Sequence, residues 1–352
     1  MKSAAEKVSN NNFFEIINTL VLAKKSFFCS RLPDSKRLML FSGNTKKIPR
    51  SKIKGNGIFI MPFNEKNLGY KINPSLTYET KIEHKLNSNK NSLIRLKEIM
   101  KNEDEESYKL SIEKLINEIR LGKLSKIVFS KKITLDYSDS NQITIFKNVL
   151  DLYSEAFCYL FYNPSEGFWM GASPELLFKT ERDSVSTMAL AGTKFNINSD
   201  WGDKEYSEQK IVQDEIFENL KPLCNSLITS EIETISAGKI QHLKTDFKGT
   251  TRASTIQLIN VLFPTSAVAG YPRIAALKLL SKHEEHERSL YSGFLGTCQD
   301  DNSSFFVNLR CLNIKDDTIS LYVGSGITKD SVPENEWIEI LKKSETMLSA
   351  IF

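Results

Sequence analysis

The sequence predicts a large α+β fold in which helices flank mixed, mostly antiparallel sheets. Several strand-like segments follow one another directly, as in 156–190 and 304–327. Helical segments separate other strands, but without the regular strand–helix alternation of a parallel α/β protein. A length of 352 residues allows one large domain or two smaller ones, and either can bury a core without disulfide or metal support.

The first third of the chain mixes short elements with a polar stretch. Hydrophobic spacing predicts a helix at 13–23, and strands bounded by Gly and Pro are predicted at 37–42 and 57–63. The segment 78–106 is rich in Lys, Glu and Asn, and its part 84–92 is predicted to be a surface loop.

Regular patterns return after residue 110. Apolar residues recur at helical spacing in 111–122, where Gly122 supplies a C-terminal stop. The remaining predicted strands are 126–137, 156–162, 168–171, 184–190, 230–238, 239–249, 304–314 and 318–327, and the remaining predicted helices are 144–152, 203–223 and 334–351.

Composition and charge exclude several classes of protein. Hydrophobic residues make up 40% and charged residues 26%, which is ordinary for a globular chain. Lys plus Arg number 47 against 43 for Asp plus Glu, and a net charge of +4 gives no support for a nucleic-acid partner. The five cysteines form no CxxC pair, and the first residues lack a signal-peptide pattern. No segment has the ~18 apolar residues of a membrane span. We therefore expect a cytoplasmic protein with reduced thiols.

Two helices carry paired carboxylates. Glu336, Glu339 and Lys343 share one face of the last helix, and Glu205 and Glu208 are three residues apart in an earlier one. A solvated stripe with a Glu339–Lys343 pair would explain the first group. The alternative is that both helices together hold a hard cation such as Mg²⁺, which prefers oxygen ligands. Periodicity alone leaves both interpretations open.

The segment Ser173-Pro174-Glu175 also has two interpretations. Ser followed by Pro and Glu is typical of a helix N-terminus, with Ser173 as the cap. Alternatively, Glu175 lies on a tight turn at a strand end, where its carboxyl group is available as a general acid.

Two small-residue segments, 189–193 and 323–327, are predicted to be loops that expose backbone N–H groups to an anion. Neither matches a nucleotide-binding motif. Arg310 ends an alternating strand and faces either a pocket or solvent. A lone histidine such as His242 is more often structural than catalytic.

Ten segments in this order resemble the chorismate-binding enzymes, from about residue 112 to the C-terminus. The family includes isochorismate synthase, salicylate synthase and the first components of anthranilate synthase and aminodeoxychorismate synthase. The segments are KIVFSK, GASPELL, ALAGT, KEYSEQKIV, HLKT, FPTSAVAGYP, ERSLYSG, VNLRCLNI, LYVGSGI and ENEWIEILKK. The resemblance implies one chorismate-binding domain over 1–352, with a variable N-terminal half (1–105) and a motif-bearing half (106–352).

The resemblance assigns a metal site and a substrate site. Glu208 and Glu339 fall on the family's Mg²⁺ positions, with Glu205 and Glu336 as their partners, and the metal would hold the ring carboxylate of chorismate. The implied substrate-binding residues are Gly192, Thr193, Ala267, Tyr291, Arg310, Gly324, Ser325, Gly326 and Lys343. An arginine suits a carboxylate because its planar guanidinium can bind both oxygens.

The residue at position 126 distinguishes members of the family. Lys126 is typical of isochorismate and salicylate synthases, whereas the ammonia-using synthases carry Gln there. Some aminodeoxychorismate synthases also have a nucleophilic lysine where this chain has Ala191. The resemblance therefore implies isochorismate synthase, with no glutamine amidotransferase partner. We expect a monomer whose product feeds menaquinone or siderophore biosynthesis.

The implied mechanism uses three catalytic residues. Lys126 would activate water for attack at C2 of chorismate, Glu175 would protonate the departing C4 hydroxyl, and His242 would lie beside the C2 side of the ring. A lysine removes a proton from water only in its neutral form, which burial or a nearby charge must favour.

Two alternatives remain. A salicylate synthase performs the same first step and then eliminates pyruvate, but such enzymes tend to have Thr where this chain has Ala267. The second alternative is a catalytically inactive relative that only binds the ligand. The chain departs from the family pattern at Gln209, Phe263 and Ser266 and after ALAGT, which leaves the substrate-loop details open.

Overall fold

The computed structural model describes residues 5–82, 102–137, 141–195, 198–237 and 240–352. The predicted loop at 84–92 lies outside these ranges. The α-helices are α1 (Asn10–Leu22), α2 (Asn102–Arg120), α3 (Gln142–Leu152), α4 (Asp203–Leu220), α5 (Thr255–Leu262), α6 (Arg273–His283) and α7 (Pro333–Ile351). The strands are β1 (Glu6–Lys7), β2 (Phe27–Arg31), β3 (Arg37–Ile48), β4 (Gly57–Met61), β5 (Gly69–Lys81), β6 (Lys126–Asp136), β7 (Phe157–Asn163), β8 (Gly167–Ser173), β9 (Leu176–Glu181), β10 (Ser184–Lys194), β11 (Cys224–Thr229), β12 (Glu233–Ala237), β13 (Ile240–Thr251), β14 (Gly270–Tyr271), β15 (Phe294–Gln299), β16 (Asn302–Val307), β17 (Cys311–Lys315) and β18 (Thr318–Ile327).

The strands form one hydrogen-bonded ladder. Its order is β14–β6–β18–β17–β8–β7–β2–β3–β5–β4–β15–β16–β9–β10–β13, and both β11 and β12 also pair with β13. These pairs are antiparallel, whereas the short β1 pairs in parallel with β5. The prediction of a mostly antiparallel α+β fold is confirmed.

Most predicted elements are present, with two informative differences. The helix predicted from 111 begins at Asn102, so the polar residues before 111 belong to its first turns. The strand predicted at 304–314 is broken, because β16 ends at Val307 and β17 begins at Cys311. Arg310 lies in this break with φ of 46°, a left-handed conformation that is uncommon for a residue with a side chain.

The last helix, α7, is fixed by its apolar face. Ile340 and Leu348 are completely buried in the larger core, and α7 packs against β18, α2 and α3. The Trp337 ring lies 5.6 Å from that of Tyr108 on α2. This packing fixes the position of the carboxylate face of α7.

The second carboxylate-bearing helix, α4, packs against β10. Val212, Ile216 and Leu220 anchor it in a second core cluster, and its last turn continues as the 3₁₀ turn Lys221–Leu223.

No helix in the described part of the chain is long and apolar enough to cross a membrane. All five cysteines are free thiols, as predicted from their spacing.

Candidate active site

A pocket opens between β10, β18 and the segment that follows β16. Most of the predicted site residues line it, namely Glu175, Gly192, Thr193, Glu208, His242, Ala267, Tyr291, Arg310, Gly324, Gly326 and Lys343. The other predicted site residues, Lys126, Glu205, Ser325, Glu336 and Glu339, do not line it and lie behind its wall or beside it.

Lys126 reaches the site through Glu208. The lysine lies at the start of β6 with no exposed surface, and its Nζ is 2.9 Å from Glu208 Oε1. The contact is an ion pair. The base candidate and one metal-ligand candidate are therefore direct neighbours.

Glu175 lies in the two-residue turn between β8 and β9, which excludes the helix N-cap interpretation. Its backbone N–H donates to Ser173 Oγ (3.3 Å), and Thr265 Oγ1 donates to Glu175 Oε1 (3.4 Å). Burial raises the pKa of the Glu175 carboxyl to about 8, against the opposing effects of the Lys126 charge and the Thr265 hydrogen bond. Glu175 is therefore mainly protonated at neutral pH, as a general acid requires.

His242 and Arg310 form a contact that determines the histidine tautomer. His242 Nδ1–H donates to the carbonyl of Gly192 (2.9 Å), so the unprotonated Nε2 accepts from Arg310 Nη2 (2.7 Å). Burial, with the charges of Arg310 and Lys343, lowers the pKa of His242 well below its usual value. A neutral His242 in this geometry orients Arg310, whose left-handed backbone conformation also aims its side chain at the pocket.

The two small-residue segments are not loops, which corrects that interpretation, whereas the strand predicted at 318–327 is confirmed. Gly324, Ser325 and Gly326 pair within β18 opposite β6, so their ladder positions are occupied. Gly192 lies inside β10 at a bulge opposite β13, with φ of 71°. The bulge leaves its carbonyl free to accept from His242. At Gly324 the missing Cβ allows close approach, since a Cβ there would be 2.8 Å from the Tyr291 hydroxyl.

Three of the predicted metal ligands, Glu208, Glu336 and Glu339, each pair with a lysine. Glu336 has no exposed surface, and its Oε1 lies 2.6 Å from Lys204 Nζ. Glu339 accepts from Lys343 at 2.6 Å, and Lys343 also donates to the carbonyl of Gly324 at 3.1 Å. The i,i+4 ion pair Glu339–Lys343 that the sequence suggested is thus present, and it is partly buried beside the pocket.

These donors fit a hard cation. Burial, followed by the Glu339 charge, raises the pKa of Glu336, and Glu336 Oε2 is buried without a hydrogen-bond partner. Within the described ranges, no three His, Cys, Asp or Glu side chains lie close enough together to hold a metal ion as they stand. The oxygen-only donor set and the unpartnered Oε2 suit Mg²⁺.

Glu205 has a different partner from the other three glutamates. Its Oε2 accepts the backbone N–H of Gly202 at 3.1 Å, which closes a capping box at the start of α4. In this structure it stabilises the helix that carries Glu208, and its role beside a metal stays a prediction.

Several contributors were not identified from the sequence as functional. Gln209 fixes α4 to β10, because its Oε1 accepts from Ala191 N (2.8 Å) and its Nε2 donates to the carbonyl of Ala189 (3.2 Å). Glu215 accepts from Ser266 N at 2.7 Å, which holds the segment that carries Thr265. The available signal was that both residues lie on the same helix as Glu208. Polar residues on a helix are ordinarily solvated, so this signal did not distinguish them.

Tyr108 was also missed, since it precedes the segment in which the resemblance begins. It is 2% exposed, and its hydroxyl lies 2.8 Å from Ser325 Oγ, so α2 braces β18 behind the pocket. Nothing in the charged pattern around Tyr108 distinguishes it from a core aromatic.

The close contact between Gly326 on β18 and the Glu208 carboxylate on α4 can be tested by substitution. A Cβ there would overlap a carboxylate oxygen of Glu208, while the backbone conformation suits any residue. We expect Gly326→Ala to move the Glu208 carboxylate and raise the Mg²⁺ concentration for half-maximal turnover by about tenfold, with a small change in melting temperature. Turnover across a Mg²⁺ series and thermal unfolding measure the two effects.

Ser320→Ala, on the same strand outside the pocket lining, is the control. Equal Mg²⁺ dependence of Gly326→Ala and wild type would contradict the predicted displacement of Glu208.

This chain is similar to known proteins of one family. The sequence model of a family described as chorismate binding enzyme matches residues 63–352. Isochorismate synthase MenF of Escherichia coli is 30% identical over 256 residues, which cover 68% of this chain and 59% of that protein. DhbC of Bacillus subtilis, also an isochorismate synthase, is 28% identical over 269 residues, which cover 70% of this chain and 68% of that protein. The matched segment thus spans about three fifths of the length of the MenF relative.

Solved structures show the same fold. A Bacillus anthracis protein described as the 2,3-dihydroxybenzoate-specific isochorismate synthase DhbC has a TM-score of 0.80 and 23% identity, covering 93% of this chain and 96% of that one. The menaquinone-specific MenF of Escherichia coli has a TM-score of 0.78 and 20% identity, covering 93% and 89%. Since the family model matches most of the chain, the protein belongs to the family of chorismate-binding enzymes.

Proposed function

We propose that this protein is an isochorismate synthase, which converts chorismate to isochorismate with Mg²⁺. The observation that best supports this is Glu175, a buried and protonated carboxyl that lines a pocket together with Arg310 and Lys343. A neutral acid in the same pocket as two cationic side chains suits a reaction in which an anionic substrate loses a hydroxyl group.

The substrate supplies two carboxylates, and the pocket supplies matching groups. Arg310 is oriented by His242, and Lys343 is held between Glu339 and the carbonyl of Gly324. Burial lowers the pKa of Arg310 only to about 10, so it stays charged at neutral pH. Both cations are therefore positioned before the substrate binds, which reduces the entropic cost of binding.

We assign the two proton transfers to Lys126 and Glu175. Lys126, released from Glu208 in its neutral form, takes a proton from water as the oxygen bonds to C2. The ring double bonds shift, and the C4 hydroxyl leaves as water with the proton of Glu175. Water is added and lost once each, so the reaction is an isomerisation and needs no oxidant.

Mg²⁺ would be held by Glu208, Glu336 and Glu339, with Glu205 adjacent to Glu208 on the same helix. When bound, the ion neutralises and orients a substrate carboxylate. Proton transfer and substrate orientation remain with the protein's own side chains.

The residues at the nucleophile positions disfavour amination. Ala191, which lines the pocket, cannot form a covalent adduct, and Lys126 suits water as the nucleophile. We therefore propose a glutaminase-independent enzyme. Its product would enter menaquinone or siderophore biosynthesis, and the genes beside its own distinguish these two routes.

Product analysis tests the proposal. The purified chain is incubated with chorismate, with Mg²⁺ or with EDTA, and the products are separated by chromatography. We expect isochorismate only in the Mg²⁺ sample. Salicylate plus pyruvate without an added lyase would instead indicate a salicylate synthase, and unchanged chorismate would indicate an inactive relative.

A further inference from the structure

One partly buried lysine near the site has no part in the reaction described above. Lys204 lies one helical turn before Glu208 on α4, and its Nζ is 2.6 Å from Glu336 Oε1. Its side chain is 24% exposed, whereas Glu336 has no exposed surface. The pair joins α4 to α7 directly.

The charges around Lys204 come from three carboxylates. Glu336 contacts its ammonium group directly, and the charges of Glu339 and Glu208 attract the same group. These are the three glutamates that would hold Mg²⁺. A positive charge tethered to α4 is thus attracted by all three of the proposed metal ligands.

The other two lysines at these carboxylates differ from Lys204. Lys126 pairs with Glu208 and is the proposed base, while Lys343 pairs with Glu339 and lines the pocket. Lys204 does not line the pocket. Its ion pair therefore acts on the carboxylates and not on a molecule in the pocket.

We propose that Lys204 is a built-in counter-ion of the cation site, which competes with Mg²⁺ for Glu336 and sets the affinity for the metal. The proposal rests on the metal site of the proposed function. Glu336 Oε2 is the route for exchange, because it is buried without a partner while Oε1 binds the lysine. A divalent cation can approach Oε2 before the ammonium leaves Oε1.

The direction of the effect follows from electrostatics. Removing a positive charge within ion-pair distance of a ligand strengthens the attraction of that ligand for any other cation. The same change leaves the buried Glu336 without its counter-ion, which destabilises the metal-free protein. Lys204→Met should therefore bind Mg²⁺ more tightly and melt at a lower temperature in EDTA.

The experiment uses the full chain and Mg²⁺ alone, without chorismate. Isothermal titration calorimetry gives the dissociation constant for Mg²⁺, and thermal unfolding is recorded in EDTA and in excess Mg²⁺. We expect Lys204→Met and Lys204→Gln to bind at least about tenfold more tightly than wild type. Both should melt several degrees lower in EDTA and recover most of this loss in Mg²⁺.

Two variants serve as controls. Lys204→Arg keeps the charge and should stay near the wild-type affinity, while Lys210→Met removes an exposed lysine of the same helix, paired with Asp214, and should change neither value. Equal or weaker Mg²⁺ binding by both neutral variants would overturn the role of Lys204 but leave the metal site intact. Absence of Mg²⁺ binding in every variant would overturn the metal site, and the counter-ion role with it.

Discussion

Lys126→Ala is expected to lower the rate of isochorismate formation by about 10²–10⁴-fold, the usual contribution of a general base. Lys126 has no exposed surface and is the only proposed base, so bulk water cannot replace it readily. The effect should appear in kcat, measured by chromatography of the product at saturating chorismate and Mg²⁺.

The variant also leaves empty space beside Glu208, so a second substitution separates the loss of side-chain volume from the loss of the base. Lys126→Gln fills most of the space and keeps a polar group, and it should be as inactive as Lys126→Ala. Lys132→Ala, on the same strand but outside the pocket lining, is the matched control. Near wild-type turnover by either Lys126 variant would contradict the assignment of the base.

Glu175→Gln is expected to cause a loss of similar size, about 10²–10⁴-fold, because the amide cannot donate a proton to the departing hydroxyl. The wild-type rate should depend on the protonated form of Glu175. Since the Glu175 pKa is about 8, kcat/KM should fall about tenfold per pH unit above that value. A wild-type profile that stays flat up to pH 10 would contradict Glu175 as the acid.

The same carboxyl makes stability depend on pH in a defined direction. The folded protein keeps the Glu175 proton up to about pH 8, whereas the unfolded chain loses it near 4.5. Between these values the folded state binds more protons, so this group lowers the free energy of unfolding as the pH rises, by about 1.4 kcal/mol per unit.

Glu175→Gln removes this dependence. Its melting temperature relative to wild type should therefore rise steadily from pH 5 to pH 8, which thermal unfolding at several pH values measures. A constant difference between the two proteins would show that Glu175 is ionised throughout this range.

The fold was largely predictable because hydrophobic alternation and helical spacing are local. The missed features arise from contacts across the ladder. The break around Arg310 lies inside a segment that the sequence predicts to be one strand, whereas β16 pairs with β9 and β17 pairs with β8. Likewise, Gly324 and Gly326 predicted a loop, whereas they lie within β18 because Tyr291 and Glu208 approach too closely for a side chain.

The site was predictable where a residue type implies its chemistry and where the resemblance assigned a position. Spacing on one helix cannot show that Lys204 on α4 meets Glu336 on α7, because the two residues are far apart in sequence. The protonation of Glu175 was equally hidden, since it depends on burial by distant segments. His242 matched a family position, but its role in orienting Arg310 required the geometry of both ring nitrogens.

Helix α4 carries Glu208, the contacts of the adjacent Gln209 to β10 and, about two turns later, the Glu215 contact to Ser266. Each residue added to or removed from an α-helix rotates everything beyond it by about 100°. A one-residue insertion between Gln209 and Glu215 would thus separate the segment that holds Thr265 from the rest of the site. Length variation among natural variants should therefore avoid α4 and fall in the connections that precede or follow it.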